Sequence, residues 1–182
     1  ALVMAFDKYH QKNMLILYDA VGTLADSVGP ALNQPEYIDM LMQPLTARWA
    51  SLDDTDPDLI PLLECMASVT IAMGPGFQPH AVPVFQRCVN IIHQNLVAYE
   101  QAMTQPSTAD DELPDRTFLI VALDLLSGLC QGLGVQSQEL VANVQPLILP
   151  QLLPCLTNIE PPVRQSAFAL LGDLAINAFP QL

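Results

Sequence analysis

The sequence predicts an all-α superhelix built from repeated helix pairs, and three observations support that class. Long segments place apolar residues at the i, i+3, i+4 and i+7 spacing of an amphipathic helix. Strand signals are nearly absent, because no alternating β-branched run and no Asn-Gly or Asp-Gly turn occurs. The helical segments also recur at an interval of roughly 45 residues, which is typical of α-solenoids. We expect residues 1–182 to form one continuous array of about three and a half helix pairs.

Proline and glycine mark the ends of the helices. Prolines fall in or near first turns, where the missing N–H leaves no hydrogen bond unmade, and glycines follow helix ends, where a positive φ costs them little. The predicted helices are Leu2–Lys8, Lys12–Val28, Pro35–Ser51, Asp58–Met73, Pro79–Met103, Asp115–Gly132, Gln138–Leu156 and Pro162–Ala178. The second helix of each pair corresponds to about 12–28, 58–73, 115–132 and 162–178. The polar, acidic segment 104–114 between two helices predicts a surface loop.

The charge balance excludes several classes of partner. Six Lys and Arg against nineteen Asp and Glu give a net charge of −13, which argues against direct nucleic-acid binding and against an anionic membrane surface. No uncharged apolar stretch reaches the ~18 residues of a membrane span. The cysteines lie in apolar runs without metal-ligand spacing, which indicates buried, reduced thiols and no metal site. They are Cys65, Cys88, Cys130 and Cys155.

Alignment of the repeats on their helix ends shows a second pattern. Seven residues before each end lies a small residue (Gly22, Ala67, Ser127 or Gly172), as stacked helices need where backbones approach closely. The segment PPVRQSAFALLGDL, from Pro161 to Leu174, resembles the second helix of a HEAT repeat. The array is therefore interpreted as a HEAT-repeat solenoid.

The same alignment shows a polar stripe along the second helices, at positions ten, six and three residues before each helix end. These offsets correspond to i, i+4 and i+7, so they share one helix face. Acids on apolar helices are costly to bury unpaired, and no basic residue lies one turn away, so they must reach water or a partner. The stripe comprises Asp19, Thr23 and Asp26; Glu64, Ser68 and Ile71; Asp124, Gly128 and Gln131; and Ala169, Asp173 and Ile176.

Signals for catalysis or cofactor binding are missing. The histidines have no spaced partners for a metal or a triad, and no P-loop or GxGxxG is present. The acids of the segment 53–58 lack the glycine of a calcium loop and predict an inter-helix turn. We therefore expect a non-enzymatic protein without cofactors.

Four stretches carry a resemblance to a known family. They are Met4–Gly29 (MAFDKYHQKNMLILYDAVGTLADSVG), Phe85–Asn90 (FQRCVN), Phe118–Leu129 (FLIVALDLLSGL) and Val163–Leu174 (VRQSAFALLGDL). They closely resemble the karyopherin-β2 family of nuclear import receptors, within the importin-β superfamily. The resemblance covers essentially the whole chain and implies a fragment from the C-terminal half of a receptor of about twenty HEAT repeats.

The resemblance implies a cargo-signal site. In the family, residues of LYDAVGTLAD contact the signal, which here implies Asp19, Thr23 and Asp26. The acids of LLEC, ALDLL and LLGDL are Glu64, Asp124 and Asp173, and all six residues belong to the polar stripe. One departure is Gln131, where the family is expected to carry Glu.

The resemblance also implies partners and location. The expected ligand is a basic, extended nuclear localisation signal of the Pro-Tyr type, released when the small GTPase Ran binds in its GTP form. Nucleoporins are expected partners of the full-length receptor, which would be a monomer that shuttles between cytoplasm and nucleus.

Two other functions remain open at this level. A HEAT scaffold subunit would organise folded partners along its inter-helix turns rather than along the second helices. A glycosidase would need two carboxylates that converge at ~5–9.5 Å in a cleft.

Overall fold

All regular structure in the described residues, 2–8, 11–104 and 113–181, is helical in the computed structural model. The α-helices are α1 (Leu2–Lys8), α2 (Gln11–Val28), α3 (Pro35–Ser51), α4 (Leu59–Met73), α5 (Gln78–Thr104), α6 (Arg116–Leu133), α7 (Ser137–Asn143), α8 (Ile148–Leu156) and α9 (Pro161–Asn177). Short 3₁₀ turns follow four of them, at Gly29–Leu32, Gly74–Phe77, Gly134–Gln136 and Phe179–Gln181. Most of the predicted acidic loop lies outside the described residues.

The helices form two layers. Helices α2, α4, α6 and α9 pack side by side in that order, and α3, α5 and α8 lie behind them and pack on α4, α6 and α9. Each pair consists of one helix from each layer, as in a helical repeat solenoid. The predicted fold class, an all-α superhelix of HEAT type, is confirmed.

Helices α2, α4, α6 and α9 correspond to the second helices of the pairs. The two central ones, α4 and α6, are buried on nearly every side. In α4, residues Leu59, Leu62, Leu63 and Met66 are completely buried. In α6 the buried positions run almost without interruption from Leu119 to Cys130. One hydrophobic cluster extends from α2 to α9, so the core runs along the array.

The predicted glycine ends are confirmed by their backbone angles. Gly29, Gly74 and Gly134 have φ values of 51°, 52° and 55°, a region that other residues rarely adopt. At Gly74 and Gly134 the backbone N–H donates to the carbonyl four residues earlier, which closes the last helical turn.

The predicted helix Gln138–Leu156 is wrong, because the chain leaves the helix between its two halves. Val144 and Leu147 are extended, with ψ of 143° and 139°, and Pro146 lies between them. Proline lacks the N–H that would continue the helix and disfavours a helical residue before it. The region therefore consists of α7 and α8 rather than one long helix.

The close approach between α4 and α6 joins one of the expected small positions, Ala67, to two glycines that were not expected, Gly128 and Gly132. An added Cβ at Gly128 would lie 3.0 Å from the Ala67 carbonyl oxygen, and one at Gly132 would overlap the Thr70 carbonyl. Gly172, which was expected to mark such an approach, has no neighbouring atom within 4 Å of that position. The tightest contact of the described second helices is therefore that of α4 with α6.

A half-buried arginine fixes the turn between α3 and α4. Arg87 on α5 lies 2.6 Å from Asp54 and donates to the backbone carbonyls of Trp49 and Leu52. Its guanidinium also lies 4.7 Å from the centre of the Trp49 ring. The acidic segment 53–58 is thus an inter-helix turn, as predicted.

Two stretches of the described chain, Leu59–Thr104 and Arg116–Asn143, are long and apolar enough to cross a membrane when a few charges are tolerated. Their most apolar windows are 50% and 61% buried inside the array. Because core helices of packed proteins pass the same test, this is weak evidence for a membrane span.

Candidate functional site

The central second helices expose side chains only along one line. On α4 the exposed residues are Glu64 and Ile71, and on α6 they are Thr117, Asp124 and Gln131. Positions seven residues apart lie two turns apart on the same helix face. The other sides of these helices are largely covered by neighbours, so this line is the exposed surface of α4 and α6.

The structure divides the predicted polar stripe into exposed and inward-turned positions. The positions ten and three residues before the helix ends are all exposed. They are Asp19, Glu64, Asp124 and Ala169, and Asp26, Ile71, Gln131 and Ile176. The positions six residues before the ends differ in burial: Thr23 is exposed, Ser68 and Asp173 are half-buried, and Gly128 is buried against α4. The exposed part of the stripe therefore consists of two rows.

Four of the six predicted site residues line one groove between α2 and α4. Asp19, Thr23 and Asp26 come from α2 and Glu64 from α4, and the groove encloses about 220 Å³. Its floor includes Gly22, which faces Cys65 and Ser68 of α4. Three carboxylates thus share a shallow, open depression that fits the end of a cationic side chain.

The other two predicted residues lie at the contact of α6 with α9. Asp173 on α9 accepts hydrogen bonds from Ser127 and Gln131 on α6, and Gln131 Nε2 lies 3.0 Å from the Asp173 carboxylate. Asp124 on α6 accepts a hydrogen bond from Ser166 on α9. Each acid is therefore held by a serine of the facing helix.

The surroundings of Asp124 shift the pKa of its carboxyl group. Although the side chain is exposed by area, the neighbouring apolar atoms raise the pKa of Asp124 by desolvation, and the hydrogen bond from Ser166 partly opposes that rise. The carboxylate is therefore a better proton acceptor than an ordinary Asp.

Ser127, Ser166 and Gln131 are contributors to the site whose contacts were not foreseen from the sequence. From the sequence, the acids of the stripe were expected to reach water or a partner. Hydrogen bonds from side chains of a neighbouring helix to Asp124 and Asp173 were not expected. A signal does exist: Asp124 and Ser166, like Gln131 and Asp173, are separated by slightly less than one repeat. That separation brings residues of adjacent second helices face to face.

Three arginines of the described chain, Arg87, Arg116 and Arg164, make their contacts away from the stripe. Ion pairs join Arg87 to Asp54, and Arg116 to Glu160 at 3.8 Å. Arg116 also stacks on Tyr99, with 3.7 Å between the guanidinium carbon and the ring centre, and Arg164 donates to the carbonyls of Asn158 and Ile159. Within the described ranges, no ion pair neutralises an acid of the stripe.

Metal chemistry has little support in this part of the chain. Among the described residues, no three His, Cys, Asp or Glu side chains form a group that could hold a metal ion. The four cysteines are free and buried, and desolvation raises the pKa of Cys65 and of Cys130 to about 12. Such thiols are poor nucleophiles and poor metal ligands.

Comparison with known proteins identifies relatives over nearly the whole chain. The chain is 55% identical over 179 residues to Transportin-1 of Homo sapiens, which covers 98% of this chain and 19% of that protein. It is 48% identical over 174 residues to Transportin-1 of Oryza sativa, covering 96% of this chain and 19% of that protein. It is 44% identical over 181 residues to Importin subunit beta-2 of Schizosaccharomyces pombe, covering 100% of this chain and 20% of that protein.

The chain spans about a fifth of the length of these curated relatives. No family model matches it. The resemblance to the karyopherin-β2 family is confirmed: the chain is homologous, over nearly all of its residues, to proteins named transportin and importin subunit beta-2.

Proposed function

We propose that the chain is a segment of a nuclear import receptor and that its polar stripe binds the basic, extended localisation signal of a cargo protein. The homology to transportins supports the receptor role. The observation that carries the binding role is the exposed line on α4 and α6, where Glu64 and Asp124 project from otherwise buried helices.

The charge distribution supports a cationic ligand. The net charge is −13, and Arg87, Arg116 and Arg164 are occupied within turns and between helices. A signal rich in Arg and Lys would supply the positive charge that the stripe lacks. An exposed ion pair contributes only ~0.2–1 kcal/mol, so affinity would come from several pairs along an extended peptide together with apolar contacts.

The stripe offers apolar contacts between its acids. Ile71 and Ile176 are 47% and 79% exposed and occupy the row of Asp26 and Gln131. A signal that alternates basic and apolar side chains would therefore match the stripe better than a uniformly basic one.

The remaining steps belong to the longer receptor. We propose that the Pro-Tyr element of the signal, Ran in its GTP form and nucleoporins bind to that receptor, which shuttles as a monomer between cytoplasm and nucleus and catalyses no reaction. Binding of Ran would release the cargo.

Charge reversal in the groove tests the binding role. Asp26→Lys combined with Glu64→Lys changes two exposed carboxylates that make no hydrogen bond in the described part of the chain. Binding of a fluorescein-labelled peptide of Arg, Gly, Ser and Leu, measured by anisotropy, should weaken by about 1–3 kcal/mol, because two ion pairs are replaced by repulsion.

The matched control is Asp39→Lys combined with Asp53→Lys. These acids are also exposed, but they lie on α3 and in the following turn. The control should lose much less affinity although its net charge is the same. Equal losses in both double variants would mean that total charge alone attracts the peptide, and the stripe would have no special role.

A further inference from the structure

Asp173 is held from one side by two side chains of the neighbouring helix. The Ser127 hydroxyl and the Gln131 amide both donate to the same carboxylate oxygen, Oδ2, with Gln131 Nε2 at 3.0 Å. Gln131 Nε2 also lies 3.3 Å from the Ser127 hydroxyl oxygen. The three side chains form one hydrogen-bonded group that spans α6 and α9.

The second carboxylate oxygen of Asp173, Oδ1, accepts no such hydrogen bond from the described residues. No hydrogen bond to Oδ1 is formed within the described ranges, and no described ion pair involves this side chain. A carboxylate accepts about four hydrogen bonds through its two oxygens. Since both internal donors engage Oδ2, the lone pairs of Oδ1 remain available to a ligand.

The chemistry of residue 131 suits this arrangement. An amide can donate to Asp173, whereas a glutamate at the same position could only accept and would repel it. Gln131 is itself exposed, so the hydrogen bond is formed at the surface, next to the row of Asp26 and Ile71.

We propose that Gln131, with Ser127, is a positioning residue: it fixes the Asp173 carboxylate so that Oδ1 receives one cationic side chain of the bound signal. This inference rests on the proposed function. A carboxylate held in one rotamer loses less conformational freedom when a ligand binds than a freely rotating one does. The polar group between α6 and α9 would therefore raise affinity without adding charge.

The test separates the effect of a fixed Asp173 carboxylate on peptide binding from the effect of its charge. Gln131→Met keeps the length of the side chain and the charge of the protein but removes both amide donors. The same peptide should bind about three- to fivefold more weakly, the range expected for one weakened exposed pair. The slope of log Kd against log salt concentration should not change, because the number of charges is unchanged.

Two further variants complete the experiment. Asp173→Ala should weaken binding and also reduce the salt slope, and adding Gln131→Met to Asp173→Ala should have no further effect, since Gln131 acts through Asp173. Gln136→Met is the matched control, because Gln136 is also exposed but lies in the 3₁₀ turn after α6. It should bind as the parent does, and circular dichroism should show that all variants keep the helical content of the parent.

The outcomes distinguish this inference from the function on which it rests. Parent-like binding by Gln131→Met, or an equal loss from Gln131→Met with and without Asp173, would overturn the positioning role while leaving the binding role intact. Failure of the parent chain to bind the peptide in a salt-dependent way would overturn the binding role, and the positioning role with it.

Discussion

Individual carboxylates of the polar stripe differ in how strongly the protein constrains them. Asp19, Asp26 and Glu64 are exposed around an open groove, whereas Asp124 and Asp173 are held by serines of facing helices. The exposed acids can rotate to meet a ligand, and the held acids offer a fixed direction. The stripe therefore combines adaptable and preorganised charges.

The raised pKa of Asp124 has a consequence for stability. Because the folded chain binds this proton more tightly than the unfolded chain does, the free energy of unfolding falls as the pH rises from about 3.8 through the raised pKa. Asp124→Asn should remove that loss while keeping an acceptor for Ser166. Thermal melts should show the variant at least as stable as the parent near pH ~7, with the difference shrinking as the pH falls below about 4.

The control for this substitution is Glu64→Gln, which removes an exposed carboxylate from the neighbouring helix. An advantage of Asp124→Asn that persisted unchanged in acid would contradict the linkage, because both chains are then uncharged at residue 124.

Among the elements, the contact between α4 and α6 is built differently from the contact between α6 and α9. Gly128 and Gly132 lie one turn apart on α6 and allow its backbone to touch that of α4 at Ala67 and Thr70. The contact of α6 with α9 contains instead the polar group of Ser127, Gln131 and Asp173. The first contact depends on shape and the second on hydrogen bonds.

Gly132→Ala should destabilise the fold by about 1–3 kcal/mol, the usual cost of overpacking, because its Cβ would overlap the Thr70 carbonyl. Urea unfolding followed by circular dichroism measures this difference. Gly172→Ala is the matched control, since nothing lies within 4 Å of its Cβ. It should be neutral or stabilising by up to ~1 kcal/mol through helix propensity. Similar losses at both positions would show that the close approach has no special importance.

The sequence predicts most of these elements and part of the site. Helical periodicity and glycine ends locate both ends of α2 to α6 to within one residue, because these signals are local. The break between α7 and α8 was missed because the apolar spacing continues across Pro146. The acids of the stripe were found by aligning the repeats, but the hydrogen bonds of Ser127 and Ser166 were not, since a hydrogen bond between helices depends on the offset of the two helices in space.

On the scale of the whole molecule, stability is expected to decrease toward the ends of the described array. Helices α4 and α6 have a second helix on each side, whereas α2 and α9 have one on a single side within the described ranges. In a solenoid each repeat is stabilised by its neighbours. The central helices should therefore open last.

Hydrogen exchange followed by mass spectrometry measures that gradient. Amides of α4 and α6 should exchange most slowly, and those of α2 and α9 should exchange faster by a factor that shrinks as denaturant is added, because global unfolding exposes more surface than opening of an end helix. Uniform protection across all four helices would indicate a single cooperative unit instead.

The line of exposed side chains on α4 and α6 has a consequence for how substitutions there combine. Seven residues of helix advance ~10.5 Å, and neighbouring helices lie ~8–10 Å apart, so the exposed positions form an almost square mesh. Its spacing is close to the Debye length of ~8–10 Å at physiological ionic strength. Charges at neighbouring corners of the mesh are therefore partly screened from one another, so the effects of substitutions at separate corners on the free energy of binding should be nearly additive.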